Sequence, residues 1–413
     1  MRGAAPGGRL FYGWVVVLAT FAVTLFGFGA AYSFSAFIEP LQAEFGASRG
    51  SVSLVFSLAG FLYFSLGVVS GPLADLWGAR RLTVIGMLLV AGGLALAGAA
   101  RSLSEVYVAY GLGVGLGVGF AYVPAIGAVQ RWFVKRRGFA SGIAVSGIGV
   151  GTLIMPPVAS WLIEGWGWRS AYLALAAVVA VAGAGMALLI ASEPHERGVG
   201  PDGDPIDAGQ PALARAGASV GEAVRSPQFI GLYIACMICA FGVFVPFVHL
   251  VPYALDRGIG AHSAVLLIGA IGVGSTAGRF VLGGVADYIG RLTFLVTMFA
   301  GMAAALLVWA AATGYWGLAV FALAFGVFYG GWVAIMPAVV MDLFGGRNVI
   351  GIIGVLYTSV GFGTLIGPSA AGFIFDASNS YTWPILASAA ANIAAACIVA
   401  LMARAAARAP AEG

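Results

Sequence analysis

Twelve apolar runs, each near or above the roughly 20 residues that a helix needs to cross a bilayer, constrain this 413-residue chain more than any other feature. They fall at about 12–38, 52–71, 82–100, 106–128, 139–163, 171–191, 228–254, 262–284, 293–313, 316–340, 349–373 and 382–403. In hydrocarbon every backbone polar group must find a partner inside the segment or in a closed barrel. Runs this long therefore predict an all-α integral membrane protein of twelve transmembrane helices. Only 9% of residues are charged, against about a quarter in soluble domains, and the mean hydropathy is +1.00. The first run follows Arg2 and Arg9 and is too long for the core of a cleavable signal peptide.

Residues 192–226 are polar and rich in Gly, Pro and Asp, and read as a flexible linker. They divide an N-terminal six-helix bundle, 1–191, from a C-terminal one, 227–413. With both termini in the cytoplasm, fifteen basic residues fall on that side, among them Arg80, Arg81, Lys135, Arg136, Arg137 and Arg291. Four (Arg49, Arg101, Arg169, Arg257) fall on the other. This asymmetry satisfies the positive-inside rule and predicts a multi-pass protein of the inner, cytoplasmic membrane. The formal charge of +4 has the same origin, so it is no sign of nucleic-acid binding.

The two bundles are copies. Gly71-Pro-Leu-Ala-Asp75-Leu-Trp-Gly78 recurs as Gly283-Gly-Val-Ala-Asp287-Tyr-Ile-Gly290, and Gly151-Thr-Leu-Ile-Met-Pro156 as Gly363-Thr-Leu-Ile-Gly-Pro368, both at an offset of 212 residues. A parallel repeat of this kind places a substrate between the halves near the midplane.

One charge stands out. Arg279 lies in Ile271-Gly-Val-Gly-Ser275-Thr-Ala-Gly278-Arg279-Phe-Val-Leu282, about 12 Å of helix before Asp287 and so near the membrane centre. A guanidinium does not deprotonate, so it must meet water, a carboxylate or a bound anion. No acidic residue occupies the middle of any other span, and Glu39 and Asp256 sit at helix ends. The expected partner is an anionic substrate. Its repeat counterpart is Gly67, so the charge belongs to one half only.

The loop carrying Gly71, Asp75, Gly78, Arg80 and Arg81, with its copy Gly283, Asp287, Gly290 and Arg291, resembles the signature of the major facilitator superfamily. That resemblance implies the two-bundle major facilitator fold and a conformational latch at these loops. A second stretch, Arg131-Trp-Phe-Val-Lys135-Arg136-Arg137-Gly-Phe-Ala-Ser-Gly142, is similar to the fifth-helix motif of the monocarboxylate transporters. Phe11-Tyr12-Gly13-Trp14 resembles the Gly-Trp core of that family's other signature, without its acidic residue, and has the form common in bacterial members. Family members carry an Arg on helix eight that binds the substrate carboxylate, a role implied here for Arg279. Animal members also have an Asp one turn before it and a Lys on helix one, both implicated in proton coupling. Ser275 and Tyr32 stand at those positions here.

The expected function is secondary active transport of small monocarboxylates, lactate or pyruvate in kind, by proton symport and alternating access. An oxalate/formate-type exchanger would need a second cation on helix eleven, and 351–362 contains none. A drug efflux carrier would need an intramembrane carboxylate for a cation. An integral-membrane enzyme would need clustered catalytic groups, yet His195, His249 and His262 are scattered. A sensor without flux would need a signalling domain, and the linker is too short and polar to be one.

Tyr32, Tyr122, Tyr329 and Tyr357 are placed to donate to a carboxylate, with Ser275 beside them, while Phe and Met in the same helices read as core. His249, between Pro246 and Pro252, is the candidate gate and proton carrier. Cys236, Cys239 and Cys397 read as thiols within spans. No metal or cofactor is expected, and a monomer in the lipid bilayer suffices because one chain holds both halves of the path.

Overall fold

The computed structural model describes residues 11–204, 217–282, 285–345 and 348–408, without the side chains of Asp75, Arg137, Val281, Asp287, Ile350 and 406–408. Ten helices are long and apolar enough to span a membrane. One of them, Gly138–Ala187, is 50 residues long, more than twice what a bilayer needs. It breaks at Gly167, whose φ of 77° is not helical, and so supplies two spans. The bent pair Arg49–Ser65 and Gly67–Ala74 adds one more. Twelve spans result among the described residues.

They are numbered here in chain order. In the first half, α1 is Tyr12–Tyr32, α2 the bent pair, α3 Ala79–Gly98, α4 Leu103–Trp132, α5 138–166 and α6 168–187. In the second, α7 is Pro227–Asp256, α8 Ala261–Val281, α9 Arg291–Ala311, α10 Tyr315–Phe344, α11 Val349–Ser378 and α12 Thr382–Arg408. The halves meet along α2 against α11 and α5 against α8, pairs exchanged by the repeat.

The offset of 212 is written into the turns. Gly46 and Gly258 (φ 58° and 76°), Gly78 and Gly290 (84° and 82°), and Gly167 and Asn379 (77° and 51°) are three left-handed pairs at that spacing. A left-handed residue ends a helix because it turns the chain out of the αR well, which glycine and asparagine do at least cost. The kinks repeat as well: α1 gives way to a 3₁₀ turn at Ser33, and α7 breaks at Phe244. The bend in α7 is thus at Phe244, ahead of the gate expected between Pro246 and Pro252, with Pro246 in the first turn of the following segment, where its missing N–H is tolerated.

Close packing of α8 on α10 positions the site. Gly274 and Gly278 on α8 face Gly326 and Gly330 on α10, and a β-carbon at any of the four would strike the carbonyl oxygen of Leu323, Val327, Ile271 or Ser275 respectively. Small residues four apart let two backbones touch, the main source of helix association in lipid. On its other side α8 meets α5, where a β-carbon on Gly272 would lie 2.6 Å from the Gly149 carbonyl. Gly330→Ala is therefore expected to push α10 off α8, costing about 1–3 kcal/mol by overpacking. The check is a lower Tm of the detergent-solubilised variant.

The segment read as a flexible linker is structured at its described ends. Pro194–Arg197 and Pro201–Gly203 form 3₁₀ turns, and Val220–Arg225 a short helix with a Ser219/Glu222 capping box. Residues 205–216 of that segment lie outside the described residues.

Candidate functional site

Arg279 projects from α8 into the seam between the halves and is only 7% exposed. Its Nη1 donates to the Val145 carbonyl of α5, 3.1 Å away, so the guanidinium already reaches across to the other half. Nε and Nη2 are buried and have no hydrogen-bond partner among the described residues. Three of the five N–H groups of the fork are thereby left to something else. Buried donors without acceptors are costly, and a carboxylate offers two oxygens in the geometry of that fork.

The phenols of Tyr329, Tyr122, Tyr32 and Tyr357 all lie within electrostatic reach of this charge. The same four tyrosines line one cavity. Tyr32 and Tyr329 face each other across the halves with their oxygens 3.3 Å apart. Phe247 stacks on Tyr32 at 4.6 Å and meets Tyr329 edge-on at 5.2 Å. Ser275 is buried one turn before Arg279, with an unpartnered Oγ, and neither it nor Arg279 is among the cavity-lining residues.

Sequence reasoning missed most of the cavity wall. Phe28 and Met336, read as core, line the space, and so do Phe64, Phe244 and Trp332, which were given no role. Apolar residues of a membrane helix carry no mark of which face meets a cavity and which meets a neighbour. The available signal was the repeat, since Phe244 is the counterpart of Tyr32 at the same kink.

His249 is not brought to this cavity. It is fully buried near the end of the bundle that carries Arg49, with Nε2 2.8 Å from the Pro368 carbonyl and Nδ1 2.9 Å from the Tyr381 hydroxyl. A carbonyl only accepts, so Nε2 bears the hydrogen and Nδ1 accepts from Tyr381. Tyr381 in turn accepts from Arg49 Nη1 at 3.2 Å. Arg49 grips Asp256 through both terminal nitrogens, at 2.6 and 3.1 Å, and lies over the Phe375 ring. The backbone N–H groups of Arg49 and Gly50, at the start of α2, donate to Asp376 of α11 at 3.0 and 2.8 Å. This junction joins the two halves, and the sequence did not suggest it.

The loops expected to form the latch behave differently. Arg80 donates to the Ile190 carbonyl at 2.6 Å and faces Glu196 at 3.8 Å, and Arg291 pairs with Asp342 and the Ala338 carbonyl. In each case the partners belong to the same half or to the segment following it. Gly71 lies in α2, and Gly78 is the left-handed turn into α3. Arg81 is in the first turn of α3. Gly283 and the side chains of Asp75 and Asp287 lie outside the described residues.

The two stretches that carry the monocarboxylate-transporter resemblance pack on each other. Phe11 meets Trp132 and Phe133 at 5.6 and 5.5 Å, and Trp14 meets Phe133 at 4.9 Å. Tyr12 donates to the Leu189 carbonyl and Trp132 to that of Ala191, so the knot fastens α1 and α4 to the chain leaving α6. Lys135 pairs with Asp204 at 2.7 Å, which raises its pKa above the usual lysine value, while Asp202 accepts from the Val134 and Lys135 amides. Arg136 is exposed beside them, and the Arg137 side chain is outside the described residues.

The sequence profile of the Major Facilitator Superfamily matches residues 19–293 and 230–412. The chain is 30% identical to mouse Monocarboxylate transporter 11 over 389 residues, covering 92% of this chain and 84% of that one. The chain belongs to the Major Facilitator Superfamily, among the monocarboxylate transporter homologues. Zebrafish Monocarboxylate transporter 12-B is also 30% identical, over 90% of this chain and 83% of its own. Mouse Monocarboxylate transporter 4 is 28% identical, over 94% and 82%. These relatives are animal proteins and lend no support to the bacterial placement drawn from Phe11–Trp14. They are named as transporters, and this superfamily member is a multi-pass membrane protein.

Proposed function

We propose that the chain is a secondary active carrier of small monocarboxylates, lactate or pyruvate in kind, working by alternating access. The observation that carries this reading is Arg279, a permanent cation buried beside four phenols with Nε and Nη2 unpartnered. A carboxylate would take those donors while Nη1 keeps its hold on Val145. Tyr122 and Tyr357 would donate to the remaining lone pairs. The names of the relatives support the same cargo. Phe11-Tyr12-Gly13-Trp14 supports a bacterial branch of that family.

One cation suits one carboxylate. A dicarboxylate would bring an uncompensated charge into a dry cavity, which disfavours an oxalate-type exchanger. A cationic drug would find no acidic residue in the lining among the described residues. Bound anion also neutralises Arg279, lowering the cost of closing the halves around it. The empty carrier then closes poorly, and exchange outruns net flux.

In this reading the halves, 1–191 and 227–413, rock about the site in a single chain, and 192–226 joins them. Both termini face the cytoplasm of the inner membrane, and the Arg49 junction seals the outer end. Protons enter as co-substrate. The Lys and Asp expected for coupling are replaced by Tyr32 and Ser275, so the proton travels with the carboxylate at Arg279.

The test is uptake of radiolabelled L-lactate into proteoliposomes with and without an inward proton gradient. Gradient-stimulated uptake, roughly tenfold for one pH unit of one-to-one coupling at equilibrium, is expected. Exchange that ignores the gradient would keep the carrier and remove symport. Absence of flux of lactate and of every competing acid would overturn the reading.

A further inference from the structure

We infer that the preferred cargo is an aryl monocarboxylate, a flat ring bearing one carboxylate, in preference to a small hydroxy or keto acid. This rests on the carboxylate-carrier reading and concerns the part of the cargo that Arg279 does not touch. The cavity lined by the four tyrosines that feel the charge of Arg279 is walled by rings. Phe28 and Phe64 come from the first half, and Phe244 and Trp332 from the second. With the four tyrosines these make up most of the lining, and the rest is aliphatic or Met. Among the described residues no Ser, Thr, Asn, Gln, His or acidic side chain contributes to it.

Such a wall treats the two kinds of acid differently. The hydroxyl of lactate would need a partner once buried. The hydroxyls of Tyr32 and Tyr329 face each other at 3.3 Å, and the carrier reading gives those of Tyr122 and Tyr357 to the carboxylate. A bare aryl ring makes no such demand and removes more apolar surface from water. The wall rings also present what an aryl guest packs against. Phe28 stands edge-on to Tyr122 at 5.1 Å, Phe64 to Tyr357 at 6.3 Å and Phe244 to Tyr329 at 6.4 Å, each within 10° of perpendicular. Both faces and edges therefore border the space, the arrangement aromatic rings prefer.

The rings also lie close together. The cavity between them has a volume of only about 30 Å³. An occupant must part the rings, and a flat one separates them least.

The experiment uses the full chain in liposomes and compares counterflow of labelled phenylacetate and benzoate with that of L-lactate and propanoate, after subtracting protein-free vesicles. Phenylacetate is expected to exceed lactate in kcat/KM by at least about tenfold. In Phe64→Leu and Phe244→Leu, phenylacetate flux should fall about tenfold while propanoate changes less than about threefold. Reading the ratio within one preparation cancels loss of folded protein, and the wild-type ratio decides alone if a variant does not fold. Lactate carried as well as or better than phenylacetate would overturn the aryl preference and leave the carrier reading intact. No flux of any acid would overturn both.

Discussion

Arg279→Gln is expected to cut carboxylate flux by roughly 150- to 5000-fold, the equivalent of the 3–5 kcal/mol lost when one partner of a buried ion pair is removed. Glutamine is still a donor at this place on α8, so the loss reports the charge and its fork. Arg279→Lys keeps the charge but offers a point donor on a different stem, and should recover only part of the flux. The substrate-free protein should respond in the opposite sense. There Arg279 is a buried cation whose one hydrogen bond among the described residues is to a backbone carbonyl. Removing it relieves an uncompensated charge, so the empty Arg279→Gln protein should have a Tm equal to or above that of wild type. A residue kept for structure would lose stability and flux together. Thermal unfolding and vesicle flux, measured on the same preparations, separate the two cases.

Breaking the Arg49 junction should shift the balance between conformations without touching the cargo. Arg49 holds Asp256 in a forked pair, packs on Phe375 and donates to Tyr381, while its amide and that of Gly50 are held by Asp376. The Asp256 side chain is 39% exposed, so water screens part of the attraction. Arg49→Gln is then worth about 1–2 kcal/mol, or roughly 5- to 30-fold in the ratio of open to closed at that end. Ser53 is fully buried beneath the junction, against His249. With the exposed Cys397 replaced by serine, a Ser53→Cys reporter should react with a membrane-impermeant maleimide faster in the Arg49→Gln background by about that factor. Equal rates in the two backgrounds would show that the junction does not hold this end shut.

How much of this was legible in the sequence follows from what leaves a mark in one dimension. Span number was legible because hydrocarbon imposes a minimum length on each run. Gly71–Gly78 and its copy disclosed the repeat, which the left-handed pairs at Gly46/Gly258, Gly78/Gly290 and Gly167/Asn379 then extend through the turns. Arg279 was legible because a charge in an apolar run has no neutral explanation. The tyrosines were legible as polar tips in such runs, and the fold gathers all four around one space.

The Arg49 junction was not legible, because Arg49, His249, Asp256, Asp376 and Tyr381 are spread over more than 300 positions and each alone looks like an ordinary helix end. His249 illustrates the cost: flanking prolines suggested a gate, yet its nitrogens are committed to Tyr381 and Pro368. The aromatic wall failed for another reason. Phe64 packed in a core and Phe64 facing a cavity read identically in sequence.

The most direct measurement is binding to the purified, detergent-solubilised protein, followed as the rise in Tm on adding millimolar monocarboxylate to wild type and to Arg279→Gln. Ligand that binds only the folded state stabilises it by RT ln(1 + [L]/Kd). A rise in wild type that vanishes in Arg279→Gln is expected if Nε and Nη2 receive the carboxylate. An equal rise in both proteins would place the anion elsewhere and leave Arg279 a structural residue.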